Sequence, residues 1–174
     1  PSRDLQIIIQ DNSETDEIGE YLNDAYPDTR LVYTHDIERI DINENFSRGV
    51  DKSSGEYIAF IGDDDGVNPE ILDAVRWAQE KGLDAVLPTR PAQYIWPDME
   101  QRLYGKRFAG EISISPFTCD IVTADPVEAM RKCARKAGSY FGNLPKIYYG
   151  IVRRHCLDQV KKAAGTYFPG PSPD

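Results

Sequence analysis

A chain of 174 residues, 40% hydrophobic and 28% charged, lies in the size range of one domain with its own core and far from the composition of a disordered segment. Its 29 acidic and 20 basic residues leave a formal net charge of −9, which argues against non-specific binding to nucleic acid or to an anionic membrane surface. No run approaches the about 18 consecutive apolar residues of a membrane span, and the opening PSRDLQIII lacks a signal-peptide pattern, so the cytoplasm is the expected compartment.

Leu5–Ile9 is a short β-branched run ending in Asp11-Asn12-Ser13, the pattern of a buried strand entering a polar loop. Leu31–Tyr33 is a second, weaker strand. In Ile42–Lys52 the apolar residues Ile42, Phe46 and Val50 share a helical face, and Ser54-Gly55 closes the helix. The run Tyr57–Ile61, YIAFI, predicts a buried strand that leads into Gly62-Asp63-Asp64-Asp65. Asn68-Pro69-Glu70 then supplies an N-cap, a first-turn proline and an acid for a helix reaching Lys81-Gly82, and Asp84–Leu87 is the next strand. Pro88–Pro116, rich in Pro, Gly and aromatics with a short apolar run at Ile112–Ile114, reads as a functional surface segment. A helix after Asp125-Pro126, a turn at Gly142-Asn143, a strand-like IYYGIV and a helix from Arg154 to Ala164 follow. The alternation of strands and helices predicts an α/β fold with a largely parallel sheet. Cys119, Cys133 and Cys156 are odd in number, widely spaced and without a CxxC pair, so they read as reduced thiols. An opening without Met in a strand-like run and a stop at Pro173-Asp174 in a loop-like stretch read as a fragment.

Three adjacent carboxylates at the end of a buried strand repel one another unless a cation or hydrogen bonds compensate. Ligands of open α/β sheets gather at such carboxyl ends, and hard oxygens suit Mg²⁺ or Mn²⁺. A solvated acidic turn before a helix N-terminus is the plain alternative. An EF-hand loop fails, because it would begin at Ile61 and end at Leu72 where acids are needed. The string DDDGV also fits the aspartyl-nucleophile signature of haloacid-dehalogenase-like phosphatases, with Asp63 attacking phosphate and Asp65 protonating the leaving group. That motif normally follows a domain's first strand, whereas two strand-like runs precede it here.

Taken in order, IIIQDNSETDEI, NFSRGVDKSSGEYIAFIGDDD, a proline-started helix and the strand DAVLP resemble a family 2 glycosyltransferase of the GT-A fold, over residues 4 to about 88. The resemblance implies a Rossmann-like, mostly parallel sheet flanked by helices in three layers. It implies one catalytic domain over 1–174, with 1–88 binding the nucleotide sugar and 89–174 facing the acceptor. A UDP- or GDP-sugar donor, a glycan or lipid-linked acceptor and Mn²⁺ or Mg²⁺ come with it. So does a place in cell-surface polysaccharide or glycoconjugate synthesis, in the cytoplasm or at the inner face of the membrane.

By the same resemblance, Asp11 and Asn12 would hold the donor's base, with an Asx-turn as the alternative for Asp11. Asp64, with Asp65 beside it, would hold the metal, and Asp63 would face the ribose or diphosphate. The family often carries Asp where this chain has Gly62, so whether Asp63 or Asp65 seconds Asp64 stays open. The family's first strand and helix are absent before Pro1. The tail LPKIYYGIVRRHCLDQV and GTYFPGPSPD resembles the acceptor side of an inverting enzyme and makes Asp174 the candidate general base. Tyr94 and Trp96 would stack on an acceptor sugar or pack in the core, and Arg153-Arg154 would neutralise phosphate or simply open a helix. His35 and His155 are isolated. A nucleotide-sugar-binding relic without catalysis is the remaining reading.

Overall fold

The computed structural model describes residues 4–89, 92–98, 108–116, 118, 120–138, 144 and 146–170. The chain divides into two compact units, one formed by 1–86 with 145–174 and the other by 87–144. In the first unit, β1 (Ile7–Asp11) and β2 (Leu31–His35) pair in parallel with Ile7 opposite Leu31 and Asp11 opposite His35. A parallel pair needs a crossover, and helix α1 (Glu17–Ala25) supplies it. The sequence reading had no element there, although Ile18, Tyr21 and Leu22 have helical spacing. Two of those, Ile18 and Tyr21, are exposed, so the apolar signal is not used for a core.

Helix α2 (Ile42–Lys52) has the predicted bounds. Asp41 caps it by accepting from Glu44 N at 2.9 Å, satisfying one of the donors a helix start leaves orphaned. Its buried face carries Ser47 and Val50. Its charged residues tie it to the strand pair: Lys52 Nζ donates to Gln10 Oε1 at 2.6 Å and to Thr34 Oγ1 at 2.8 Å, and Arg48 meets Asp36 at 2.7 Å.

Strand β3 (Tyr57–Ile58), helix α3 (Ile71–Glu80) and strand β4 (Ala85–Val86) follow. Both strands pair antiparallel with β7 (Ile151–Arg153), which lies between them. β3 and β4 therefore run in the same direction with a helix between them, as the sequence order predicts, but a late strand fills the space between. The expected largely parallel sheet is corrected accordingly: among the described residues β1–β2 is the parallel ladder, and the β3-β7-β4 sheet is antiparallel. Past Ile58 the predicted strand continues only as a parallel bridge of Phe60 with Tyr148.

Helix α5 (Arg154–Ala164) ends at Gly165, whose φ of 83° suits a residue without Cβ. The core of this unit joins Val50, Ile58, Leu157 and Tyr167, with Phe60, Ile147, Val152 and Phe168 packed against it. Phe46, Phe60 and Phe168 form a triangle of rings with centroids 5.2, 5.8 and 5.8 Å apart. Arg153 donates to Tyr57 Oη at 2.7 Å and Arg154 to the Gly55 carbonyl at 2.9 Å, so both arginines fasten β7 and α5 to the start of β3.

In the second unit, β5 (Ala92–Tyr94) pairs antiparallel with β6 (Ile112–Ile114) inside the stretch read as a functional surface segment. Helix α4 (Pro126–Arg135) starts as predicted, with Asp125 accepting from Val127 N and Glu128 N. The turn at Gly142-Asn143 and Cys119 lie outside the described residues. Cys133 and Cys156 are free thiols. Among the described residues no helix is long and apolar enough to cross a membrane.

Two stability measurements check this packing. Ile151, 1% exposed at the centre of the β3-β7-β4 sheet, should cost about 2–5 kcal/mol when changed to Ala, read as a lower urea midpoint. Asp51 on α2 accepts from Lys161 Nζ at 2.6 Å and Tyr167 Oη at 3.1 Å, and the Lys161 bond chiefly holds its carboxyl below the ordinary value. Its contribution is present above the unfolded value and lost as pH falls through the lower native one. Stability of Asp51→Asn should therefore be lower near neutrality and should fall less steeply on acidification than the parent's.

Candidate functional site

The acidic cluster is a four-residue turn at the end of the β3 run. Asp65 N donates to the Gly62 carbonyl at 3.3 Å, and Gly62 N donates back to Asp65 Oδ2 at 2.9 Å. This double closure leaves Asp63 and Asp64 at the tip, both exposed, while Asp65 is half-buried at the root. Two hydroxyls complete the root: Tyr148 Oη donates to Asp65 Oδ2 at 3.2 Å and Tyr149 Oη to Oδ1 at 3.1 Å. Burial, then the hydrogen bonds to Asp65 and Tyr149, push the Tyr148 hydroxyl well above its usual range. It is therefore a proton donor at any physiological pH.

These tyrosines were not singled out by sequence reasoning. They reach the turn because the backbone brings them there: Phe60 N donates to the Ile147 carbonyl at 3.4 Å, and Tyr149 N to the Phe60 carbonyl at 3.0 Å. Tyr149 has φ 63°, a region L residues rarely adopt. At Gly150 a Cβ would strike the Lys146 carbonyl oxygen. A Tyr-Tyr-Gly inside a strand-like run is the signal that could have marked this break.

Glycine at 62 also has a physical reason. A Cβ there would run into the Tyr148 hydroxyl and come within 2.9 Å of Asp64 Oδ1 and 3.0 Å of Asp65 Oδ2. The Tyr148 hydroxyl takes the room a side chain at 62 would need.

Asp11 is the last residue of β1 rather than a loop residue, and it is 8% exposed. It forms the Asx-turn weighed as its alternative: Oδ1 accepts from Ser13 N at 2.8 Å. Tyr33 Oη lies 2.8 Å from Asp11 Oδ2 and 2.7 Å from Asp16 Oδ1, with one proton to share between them. Burial pushes the Asp11 carboxyl up, but the bonds from Ser13 and Tyr33 and the nearby His35 outweigh it, and the group sits below its ordinary value. His35 is not isolated, since its Nε2 donates to the Ser13 carbonyl at 2.8 Å and steadies the same turn. Asn12 beside it is exposed.

Tyr94 and Trp96 belong to the second unit, where their rings meet edge to face with centroids 5.2 Å apart. Both are exposed, at 45% and 56%, so neither is a core residue among the described residues. Asp174 lies outside the described residues.

Asp63 and Asp64 offer hard oxygen donors in an open setting. Among the described residues no three acids, histidines or cysteines converge into a ready metal cage. An open pair fits Mg²⁺ or Mn²⁺ that keeps waters and is completed by substrate phosphate, and not a closed all-protein site.

A parallel strand pair with a crossover helix and an acidic turn following a strand define an α/β protein. The family model for glycosyl transferase family 2 matches residues 1–116, which is more than half of the 174-residue chain, and the chain belongs to that family. The match extends beyond the blocks that carry the resemblance and displaces the phosphatase reading of DDDGV. No curated protein and no solved structure matches the chain.

The packing at Gly62 is directly testable. Gly62→Ala should lose about 1–3 kcal/mol through overpacking against Tyr148, and Tyr148→Phe in the same chain should recover part of that loss. Urea denaturation of the two single variants and the double variant checks it.

Proposed function

We propose that the protein transfers a sugar from a UDP- or GDP-sugar to a hydroxyl of a glycan or lipid-linked acceptor, with inversion, using Mn²⁺ or Mg²⁺. The observation that carries the reading is the turn at 62–65, which spends one of three carboxylates on its own structure and presents the other two outward in a family 2 glycosyltransferase. Asp64 is the metal ligand in this reading, and Asp63 faces the ribose or diphosphate. Asp65 contributes to the metal only through lone pairs that Gly62, Tyr148 and Tyr149 leave free. The bound cation supplies Lewis-acid neutralisation of the departing diphosphate.

At the other end of the donor, Asp11 sets the turn that presents Asn12 and Ser13 to the base. Asp174 takes the proton from the acceptor hydroxyl as that oxygen attacks the anomeric carbon from the side opposite the leaving group. One carbon–oxygen bond forms as the bond to the diphosphate breaks, so the anomeric configuration inverts. Tyr94 and Trp96 offer exposed ring faces to an acceptor sugar. A cytoplasmic setting, at the inner face of the membrane for a lipid-linked acceptor, fits a nucleotide-sugar donor.

Calorimetry on the full-length protein tests the reading. Mn²⁺ and UDP or GDP should bind more tightly together than either alone, and Asp64→Asn should abolish that cooperation and turnover alike. Asp174→Asn should keep both ligands while turnover falls by about two to four orders of magnitude. Metal-independent nucleotide binding in the parent would sink the metal assignment. Donor binding without any transfer or donor hydrolysis would show a relic.

A further inference from the structure

The side chains that hold Asp65 come from a segment 83 and 84 residues further along the chain. Its backbone is locked to Phe60 by the bridge at Tyr148 and by Tyr149 N. The rings of Tyr148 and Tyr149 pack edge to face, with centroids 4.4 Å apart, so the two hydroxyls arrive as a unit on the two oxygens of one carboxylate. Three local features accompany this arrangement: the positive φ of Tyr149, the absence of a side chain at Gly150 and the absence of one at Gly62. Without this grip the Asp65 carboxylate would no longer be fixed on the Gly62 amide, and the turn that aims Asp63 and Asp64 outward would lose its closure.

We propose that Tyr148 and Tyr149 are positioning residues for the metal and donor diphosphate, acting through Asp65 to hold the Asp63-Asp64 tip in its ligand-ready shape. The proposal rests on the reading of Asp64 as the metal ligand. The tyrosines touch neither metal nor donor; they fix the carboxylate that shapes the turn, as partners behind first ligands do in metal sites.

The test is a Mn²⁺ titration in the presence of UDP, and in a second arm GDP, following free Mn²⁺ by its electron paramagnetic resonance signal. It compares the parent chain with Tyr148→Phe, Tyr149→Phe, their double variant, Asp65→Asn and Asp64→Asn, with far-UV spectra recorded for each. Phe keeps both rings and removes only the hydroxyls. The double variant should bind Mn²⁺ at least about tenfold more weakly while keeping its far-UV spectrum. Asp65→Asn alone should weaken Mn²⁺ binding at least as much as the double variant, because the two hydroxyls act through that carboxylate. Parent-like Mn²⁺ affinity in the double variant, with affinity lost in Asp64→Asn, overturns the positioning role and leaves the site reading standing. Parent-like affinity in Asp64→Asn overturns the site reading and the proposal with it. Should the double variant unfold, the single hydroxyl deletions carry the same comparison.

Discussion

Three carboxylates on consecutive residues cannot share one turn without a device to separate them, and the region around residues 60–65 and 147–153 is organised by that constraint. The device is hydrogen bonding to one of the three. Asp65 accepts from Gly62 N, Tyr148 and Tyr149, which spreads its charge over three donors and takes it out of competition. The remaining two acids go to water, where their repulsion is screened. The tyrosines can be there only because β7 enters between β3 and β4, and β7 can begin only because Gly150 admits a backbone turn that no side chain would survive. The electrostatics of the site and the topology of the sheet are thus one problem with one solution.

The two acidic features of the first unit solve opposite problems. Asp11 is buried and its carboxylate is satisfied by Ser13 N and by Tyr33, so its charge is spent on the shape of the chain leaving β1. Asp63 and Asp64 have no such bonds among those described and stay exposed. Under the proposed function that division would serve the two ends of a nucleotide sugar, a base recognised by shape and hydrogen bonds and a diphosphate that brings a cation.

The helices were the most legible part of the sequence, because their signals are local. α2 had its bounds written in the spacing of Ile42, Phe46 and Val50, and α4 in Asp125-Pro126. α1 was missed because its apolar residues are few and its first turn, with Glu17 and Glu20, looks like an acidic loop. Strand identity was legible only in part, since β5 had no signal and YIAFI pairs only at Tyr57–Ile58, and strand partnership was not. YIAFI announces a buried strand, yet nothing within it tells that its partner is a run over ninety residues later entering antiparallel. β1 lies two residues further toward the polar end than its apolar run, which moves Asp11 from the loop into the strand.

The same limit explains what was and was not visible of the site. The acidic triplet was conspicuous, and its place at a strand end follows from local pattern. Which acid is structural was not readable, because the answer lies in two hydroxyls that are distant in sequence and adjacent only through the Phe60–Tyr148 bridge. Gly62 left open which acid seconds Asp64. In the folded chain it is the complement of Tyr148: a side chain at 62 would need the space that the hydroxyl occupies. Glycine at 62 and tyrosine at 148 are therefore two halves of one arrangement, in which a neutral donor to Asp65 stands where a further side chain would crowd Asp64 and Asp65. A turn with three acids and a hydroxyl clamp holds its tip more firmly than one with four mutually repelling carboxylates, and it does so before any cation arrives.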